Sequence, residues 1–230
     1  SASVFILDCR KIPMQDRYAE FIDHIFNHEV RRPEWYFELD AEYFGGTDAE
    51  IISYFTRMFK ESGTVLQKFS DEQVNQGLWY VFGAGSNFSF QMRDGNVPDS
   101  EKLALIRSIY TLYSDLFSKR CSPVLSHLDQ AGALPINSIC YMLWDITALS
   151  YWEKNSKKEF FYLELLSILE NTLYLENIAC AESSLHGLGH IQYYRRDQVK
   201  KIISKFLKER KDIPAELTEY AGHAQVGGVL

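Results

Sequence analysis

The stretch that decides the fold reads ENIACAESSLHGLGHIQ over 176–192, YYRRD over 193–197 and QVKKIISKFL over 198–207. The first part is rich in small residues, which permit close packing between helices. The last part places apolar residues at helical spacing. The stretch therefore predicts a small-residue helix, a tight turn at 193–197 and a second, amphipathic helix.

Apolar residues recur at helical spacing through most of the remaining chain. The segment Val4–Leu7 reads as one extended strand without an obvious partner, and 83–100 is the longest break in the helical pattern. An all-α single domain over 1–230 is predicted, with an N-terminal cap at 1–46 and helix pairs over 47–230. Helices are expected at 13–29, 47–62, 69–83, 100–120, 123–128, 135–151 and 159–175.

Three short sequences align as the start of a helix pair, each followed by a turn and a more regular second helix, and Ala221-Gly222 begins a fourth unit. Successive units are separated by about 65, 42 and 36 residues. The last two separations lie near the period of two-helix repeats, and the 83–100 break lengthens the first. The aligned pairs are Leu78-Trp79, Leu143-Trp144 and Leu185-His186.

Over roughly 48–230 the chain resembles a divergent HEAT-like (armadillo-type) helical-repeat protein. The resemblance implies a short right-handed α-solenoid of stacked antiparallel helix pairs, a fold used mainly for protein binding. An irregular α-helical bundle is the alternative arrangement.

Charge and composition exclude several classes of partner. The formal net charge of −7 argues against nucleic acid, whose phosphates are bound mainly by Lys and Arg. No window approaches the roughly 18 uncharged apolar residues needed to cross a bilayer. The N-terminal SASVFILDCRK is too short and too early charged for a signal peptide. The four cysteines include no CxxC pair and are expected to be free thiols, so a soluble, cytoplasmic protein without a membrane partner is predicted.

One group of side chains suggests a metal site. Glu182, His186 and His190 follow one another at i, i+4 spacing and so share one face of a helix. Adjacent pairs can share an ion, but Glu182 and His190 are about 12 Å apart along the axis. Gly187 follows His186, so the HExxH zinc-protease pattern is absent.

A structural role for the same residues is the competing interpretation. Gly189 is expected just past the end of the helix, where the helix dipole would favour His190. Asp145 is predicted to be buried after Trp144 and would then need a partner. No residue is marked as a nucleophile or as binding a cofactor.

The leading functional hypothesis is a non-enzymatic module that binds another protein, either through the groove lined by the second helices or through the 83–100 segment. Phe88, Phe90 and Met92 are the candidate contact residues of that segment. The acidic charge favours a basic partner, and an immunity-type inhibitor of a toxin meets this description. One alternative is a metal-dependent enzyme centred on Glu182, His186 and His190, with His223 as a further candidate. A structural subunit of an assembly is the other alternative.

Overall fold

A computed structural model describes residues 14–150 and 159–229, and within these ranges the protein is helical and contains no strand. This confirms the all-α prediction. The predicted strand Val4–Leu7 lies outside the described residues. The helices are α1 (Met14–Phe26), α2 (Asp48–Lys60), α3 (Ser62–Val65), α4 (Asp71–Phe82), α5 (Phe88–Arg93), α6 (Asp99–Thr111), α7 (Ser118–Arg120), α8 (Pro135–Ile146), α9 (Glu159–Thr172), α10 (Ile178–Glu209) and α11 (Ala215–Ala224).

Side chains cap the starts of two helices. The Thr47 side chain accepts a hydrogen bond from the Glu50 backbone N–H at the start of α2. At the start of α4, Ser70 and Gln73 form a reciprocal capping box, in which each side chain accepts from the other residue's backbone N–H. These bonds satisfy backbone donors that a helix N-terminus leaves free.

Three predicted element bounds are corrected. The link predicted at 193–197 is shorter than expected: two helical segments of α10 meet at a kink, where only Arg195 leaves helical geometry (φ −137°, ψ 44°). The break at 83–100 contains the short helix α5, because Phe88 and Met92 on one face of it are buried. The segment 123–128 forms only a 3-10 turn at Ser126–Leu128.

The helix contacts form two rows. In the first row α1 contacts α4, α4 contacts α8, α8 contacts α10, and α10 contacts α11. In the second row α2 contacts α6, α6 contacts α9, and α9 contacts α10. Helix α10 packs against both rows. Ser183 donates to the Cys140 carbonyl of α8, and the adjacent Ser184 donates to the Leu169 carbonyl of α9. After the break at Arg195, Lys205 pairs with Glu170 of α9.

Small residues in α10 let the neighbouring helices approach. A Cβ atom on Gly187 would lie 2.7 Å from Cγ of Trp144, and one on Gly189 would lie 2.5 Å from a methyl carbon of Val229. Both glycines lie inside the helix, so Gly189 does not end it and His190 is not at its C-terminus, contrary to the prediction. The buried Ser183 and Ser184 hydroxyls are satisfied by neighbouring backbone carbonyls.

Gly77 likewise allows a close approach where α4 crosses α1. A Cβ atom there would overlap the buried ring of Phe26 and lie 3.0 Å from the carbonyl oxygen of Ile25. Because the ring is fully enclosed, it cannot turn aside without disturbing the core.

Gly77→Ala is therefore expected to lower the free energy of unfolding by about 1–3 kcal/mol, since overpacking outweighs the roughly 1 kcal/mol that alanine contributes in a helix. Gly222, in α11, is the matched control, because an added Cβ there has nothing within 4 Å. Gly222→Ala should raise the same free energy by up to about 1 kcal/mol. Urea unfolding followed by circular dichroism measures both, and a stabilised Gly77→Ala variant would contradict the close crossing.

Candidate binding groove and histidine cluster

Two adjoining depressions open on the surface of the first helix row. One, of about 730 Å³, lies between residues 30–37, α4 and α8, and the other, of about 480 Å³, lies between the 126–134 segment and α8. Pro135 and Ser138 of α8 line both depressions. The two depressions are therefore parts of one surface, here called the α4–α8 groove.

Apolar and aromatic side chains line this groove and remain partly open to solvent. Phe37 is 64% exposed, Val30 49% and Leu134 43%. The rings of Trp79 and Tyr141 line the groove and are half-buried. Partly exposed aromatic groups in a concave surface are typical of places where partners bind.

The predicted contact residues of the 83–100 segment are separated by the structure. Phe88 and Met92 are fully buried, and only Phe90 points outward, with 59% of its surface exposed. Phe88 packs edge-to-face against Phe55 at 5.1 Å between ring centroids. Of the three, therefore, only Phe90 is accessible to a partner.

The histidine cluster lies where α8 crosses α10. His186 and His190 are brought together as the sequence predicted, with their Nε2 atoms 3.0 Å apart. Oδ1 of Asp145 lies 3.3 Å from Nε2 of His190. The three side chains offer ligand atoms that all lie within 4.8 Å of one another.

Asp145 is not buried as predicted: its side chain is 42% exposed and its partner is His190. It reaches the histidines because Gly187 lets the neighbouring Trp144 pack directly on the α10 backbone. The i, i+4 pattern of α10 alone gives no sign of this residue, because Asp145 comes from another helix.

Glu182 has a different role from the one its spacing suggested. Its Oε2 accepts from the Ser126 backbone N–H at 2.9 Å, and its Oε1 accepts from the His127 backbone N–H at 3.0 Å. The same Oε1 is 2.6 Å from Nδ1 of His127. The fully buried carboxylate therefore holds the 3-10 turn against α10 and does not face His186 or His190.

Two tyrosines support the cluster from behind. Nδ1 of His186 is 2.6 Å from the hydroxyl of Tyr220, and that hydroxyl is 3.2 Å from the hydroxyl of Tyr141. A proton on Nδ1 that is donated to Tyr220 leaves the Nε2 lone pair of His186 directed towards His190. The ring of Tyr141 packs 4.6 Å from that of His186, so the cluster adjoins the α4–α8 groove.

Burial keeps the two histidines uncharged. Desolvation, followed by the nearby His190, lowers the pKa of His186 to about 4. Desolvation also lowers the pKa of His190, although the carboxylate of Asp145 opposes this effect. Both imidazoles therefore carry a free lone pair at neutral pH, as a metal ligand requires.

The remaining predicted candidate, His223, lies on the exposed side of α11. None of the described helices has both the length and the apolar character needed to cross a membrane. Three cysteines lie in the described part of the chain, and all three are free thiols, as predicted. They are Cys121, Cys140 and Cys180, and each is buried.

Comparison with protein-family models, with curated proteins and with solved structures found no match to this chain.

Proposed function

We propose that the protein binds an extended segment of a partner protein in the α4–α8 groove. The observation that carries this proposal is the adjacency of two depressions, of about 730 and 480 Å³, which share Pro135 and Ser138 on their common border. Each part alone lies within the usual range of a small-molecule site, about 300–1,000 Å³, but the two lie side by side along the first helix row. An extended chain fits such a long, open surface better than a compact ligand does.

The chemistry of the groove suggests the kind of segment it accepts. The exposed ring of Phe37 and the half-buried ring of Trp79 favour apolar or aromatic anchors. Glu34 and Glu72 also line the groove, and the net charge of −7 attracts basic molecules at longer range. Of the two arginines there, Arg31 is already paired with Glu38. A segment with apolar anchors flanked by Lys or Arg is the proposed occupant.

We also propose that the two helix rows form a short HEAT-like α-solenoid. Contact between successive helices within each row supports this arrangement, because solenoid units pack mainly on their neighbours. Helix α1, which the sequence places in an N-terminal cap, lies at the end of the first row. The groove follows that first row, whereas the groove expected from the sequence is lined by the second helices of the pairs.

The test compares two exposed apolar residues changed to aspartate. Phe37→Asp alters the groove, and Leu163→Asp alters α9 in the other row, where Leu163 is 50% exposed. A pull-down with the unaltered chain should recover a stoichiometric partner, whose affinity is then measured by calorimetry. Phe37→Asp is expected to weaken that affinity at least about 30-fold, equivalent to about 2 kcal/mol at a binding hot spot, and Leu163→Asp less than about threefold.

Equal affinity for the two variants would contradict the groove as the binding site. Failure to recover any stoichiometric partner from the native source would contradict the binding function itself. An immunity-type inhibitor remains a prediction within this class, since it too acts by binding one partner. A structural subunit would instead appear as a defined oligomer in size-exclusion chromatography with light scattering.

A further inference from the structure

We propose that Asp145, His186 and His190 bind one divalent first-row transition metal ion. The inference is independent of the groove, because it depends on the crossing of α8 and α10 rather than on any partner. It also differs from the site predicted by sequence, since Asp145 takes the place of Glu182.

The spacing of the ligand atoms is the first support. Two ligands bonded to one ion at about 2.1 Å, with bond angles of about 90–110°, lie about 3.0–3.4 Å apart. The Nε2 atoms of His186 and His190 are 3.0 Å apart, and Nε2 of His190 lies 3.3 Å from Oδ1 of Asp145. Both separations match those of neighbouring ligands on a single ion.

The surroundings of His186 are the second support. Metal-binding histidines almost always direct the other ring nitrogen to an outer partner that fixes the ring. Nδ1 of His186 has such a partner in the hydroxyl of Tyr220, 2.6 Å away, and Tyr141 extends the network. The imidazole is 1% exposed, so its orientation is set before any ion arrives.

The ligand types define the class of ion. Two imidazole nitrogens and one carboxylate oxygen suit Zn²⁺, Fe²⁺, Co²⁺ or similar ions, whereas Ca²⁺ and Mg²⁺ prefer oxygen ligands alone. Three protein ligands leave at least one coordination position for water or another small donor. The exposed carboxylate of Asp145 provides the side from which an ion enters.

A hydrogen-bonded chain is the other account of the same contacts. In that arrangement the Nε2–H of His190 donates either to Asp145 or to Nε2 of His186, and no ion is needed. The two accounts differ in one measurable property. Only a metal site predicts tight, stoichiometric binding that requires all three side chains.

The experiment uses the full chain, freed of metal by a chelator and titrated with Co²⁺. Binding of one ion per chain, with visible ligand-field absorption and displacement by Zn²⁺, is expected. Asp145→Asn and His190→Gln should each weaken Co²⁺ binding by at least about 100-fold, because loss of the outer partners of metal ligands alone costs about 10–100-fold. Both residues are partly exposed, so the variants should fold, which circular dichroism checks.

His223→Ala is the matched control, since this exposed histidine lies on α11 away from the three ligands and should leave Co²⁺ affinity unchanged. The proposal is overturned if Co²⁺ binds no tighter than to a histidine-free control protein. It is equally overturned if Asp145→Asn and His190→Gln bind Co²⁺ as well as the unaltered chain does.

Discussion

Phe88→Ala is expected to lower the free energy of unfolding by about 3–5 kcal/mol, the usual range for removing a buried phenylalanine ring. Phe88 has no exposed surface and packs edge-to-face against Phe55 at 5.1 Å and Phe82 at 5.4 Å between ring centroids. For a chain of this size the melting temperature should fall by about 10 °C. Thermal unfolding followed by circular dichroism gives the measurement.

Phe90 is the matched control for this variant. It belongs to the same short helix α5, but 59% of its surface is exposed. Phe90→Ala should therefore change the free energy of unfolding by no more than about 0.5 kcal/mol. If both variants melted at the same temperature, the placement of Phe88 in the core would be wrong and the 83–100 segment would again be a candidate contact loop as a whole.

Glu182→Gln is expected to lower the free energy of unfolding by about 2–4 kcal/mol, although it removes only a charge and one acceptor. Both oxygens of the buried carboxylate accept hydrogen bonds, from the backbone N–H groups of Ser126 and His127 and from the His127 ring. An amide must turn its NH₂ group towards one of these donors. The turn that Glu182 holds should loosen, so hydrogen exchange at its amides should become faster.

Glu176→Gln supplies the comparison, since Glu176 lies exposed just before α10. Its effect should stay within about 0.5 kcal/mol. Unfolding in urea gives the free energy of unfolding of both variants. If faster amide hydrogen exchange is confined to residues 126–128, the lost stability comes from the turn. Equal stabilities would contradict the anchoring role and reopen Glu182 as a metal ligand.

Local signals predicted the helices well because they depend on neighbours in sequence. The capping box of Ser70 and Gln73 illustrates this, since the two residues lie only three apart in the sequence. A turn was expected over all of 193–197, but helical geometry is lost only at Arg195, because the contacts that set this kink are tertiary. Arg195 lies over the ring of Tyr162 at 4.6 Å and faces Glu159 at 3.8 Å, and these residues belong to α9.

Composition was a poor guide in the 83–100 segment. Its Gly, Ser, Asn and Asp residues predicted a loop, yet Phe88 and Met92 stand four residues apart, which is the spacing of one helix face. That spacing was the available signal for α5. A short apolar pair inside a polar segment is therefore better read by spacing than by composition.

The candidate metal site was half readable from the sequence. His186 and His190 share one face of a helix by spacing alone. Asp145 could not be assigned to them, because its approach depends on how closely α8 and α10 cross at Gly187. Glu182 has the helical spacing of a third ligand, but its carboxylate instead accepts hydrogen bonds from the backbone of the distant 126–128 turn.

The contacts of α10 with both helix rows have a consequence for how the chain can be shortened. Repeat arrays often tolerate removal of their terminal units one at a time, because each unit touches only the next. Here α10, with its kink at Arg195, packs against α8 of the first row and against α9 of the second row. Ending the chain before Ile178 would remove α10 from α8 and α9 together. The apolar faces of both rows would then be exposed to solvent at the same time.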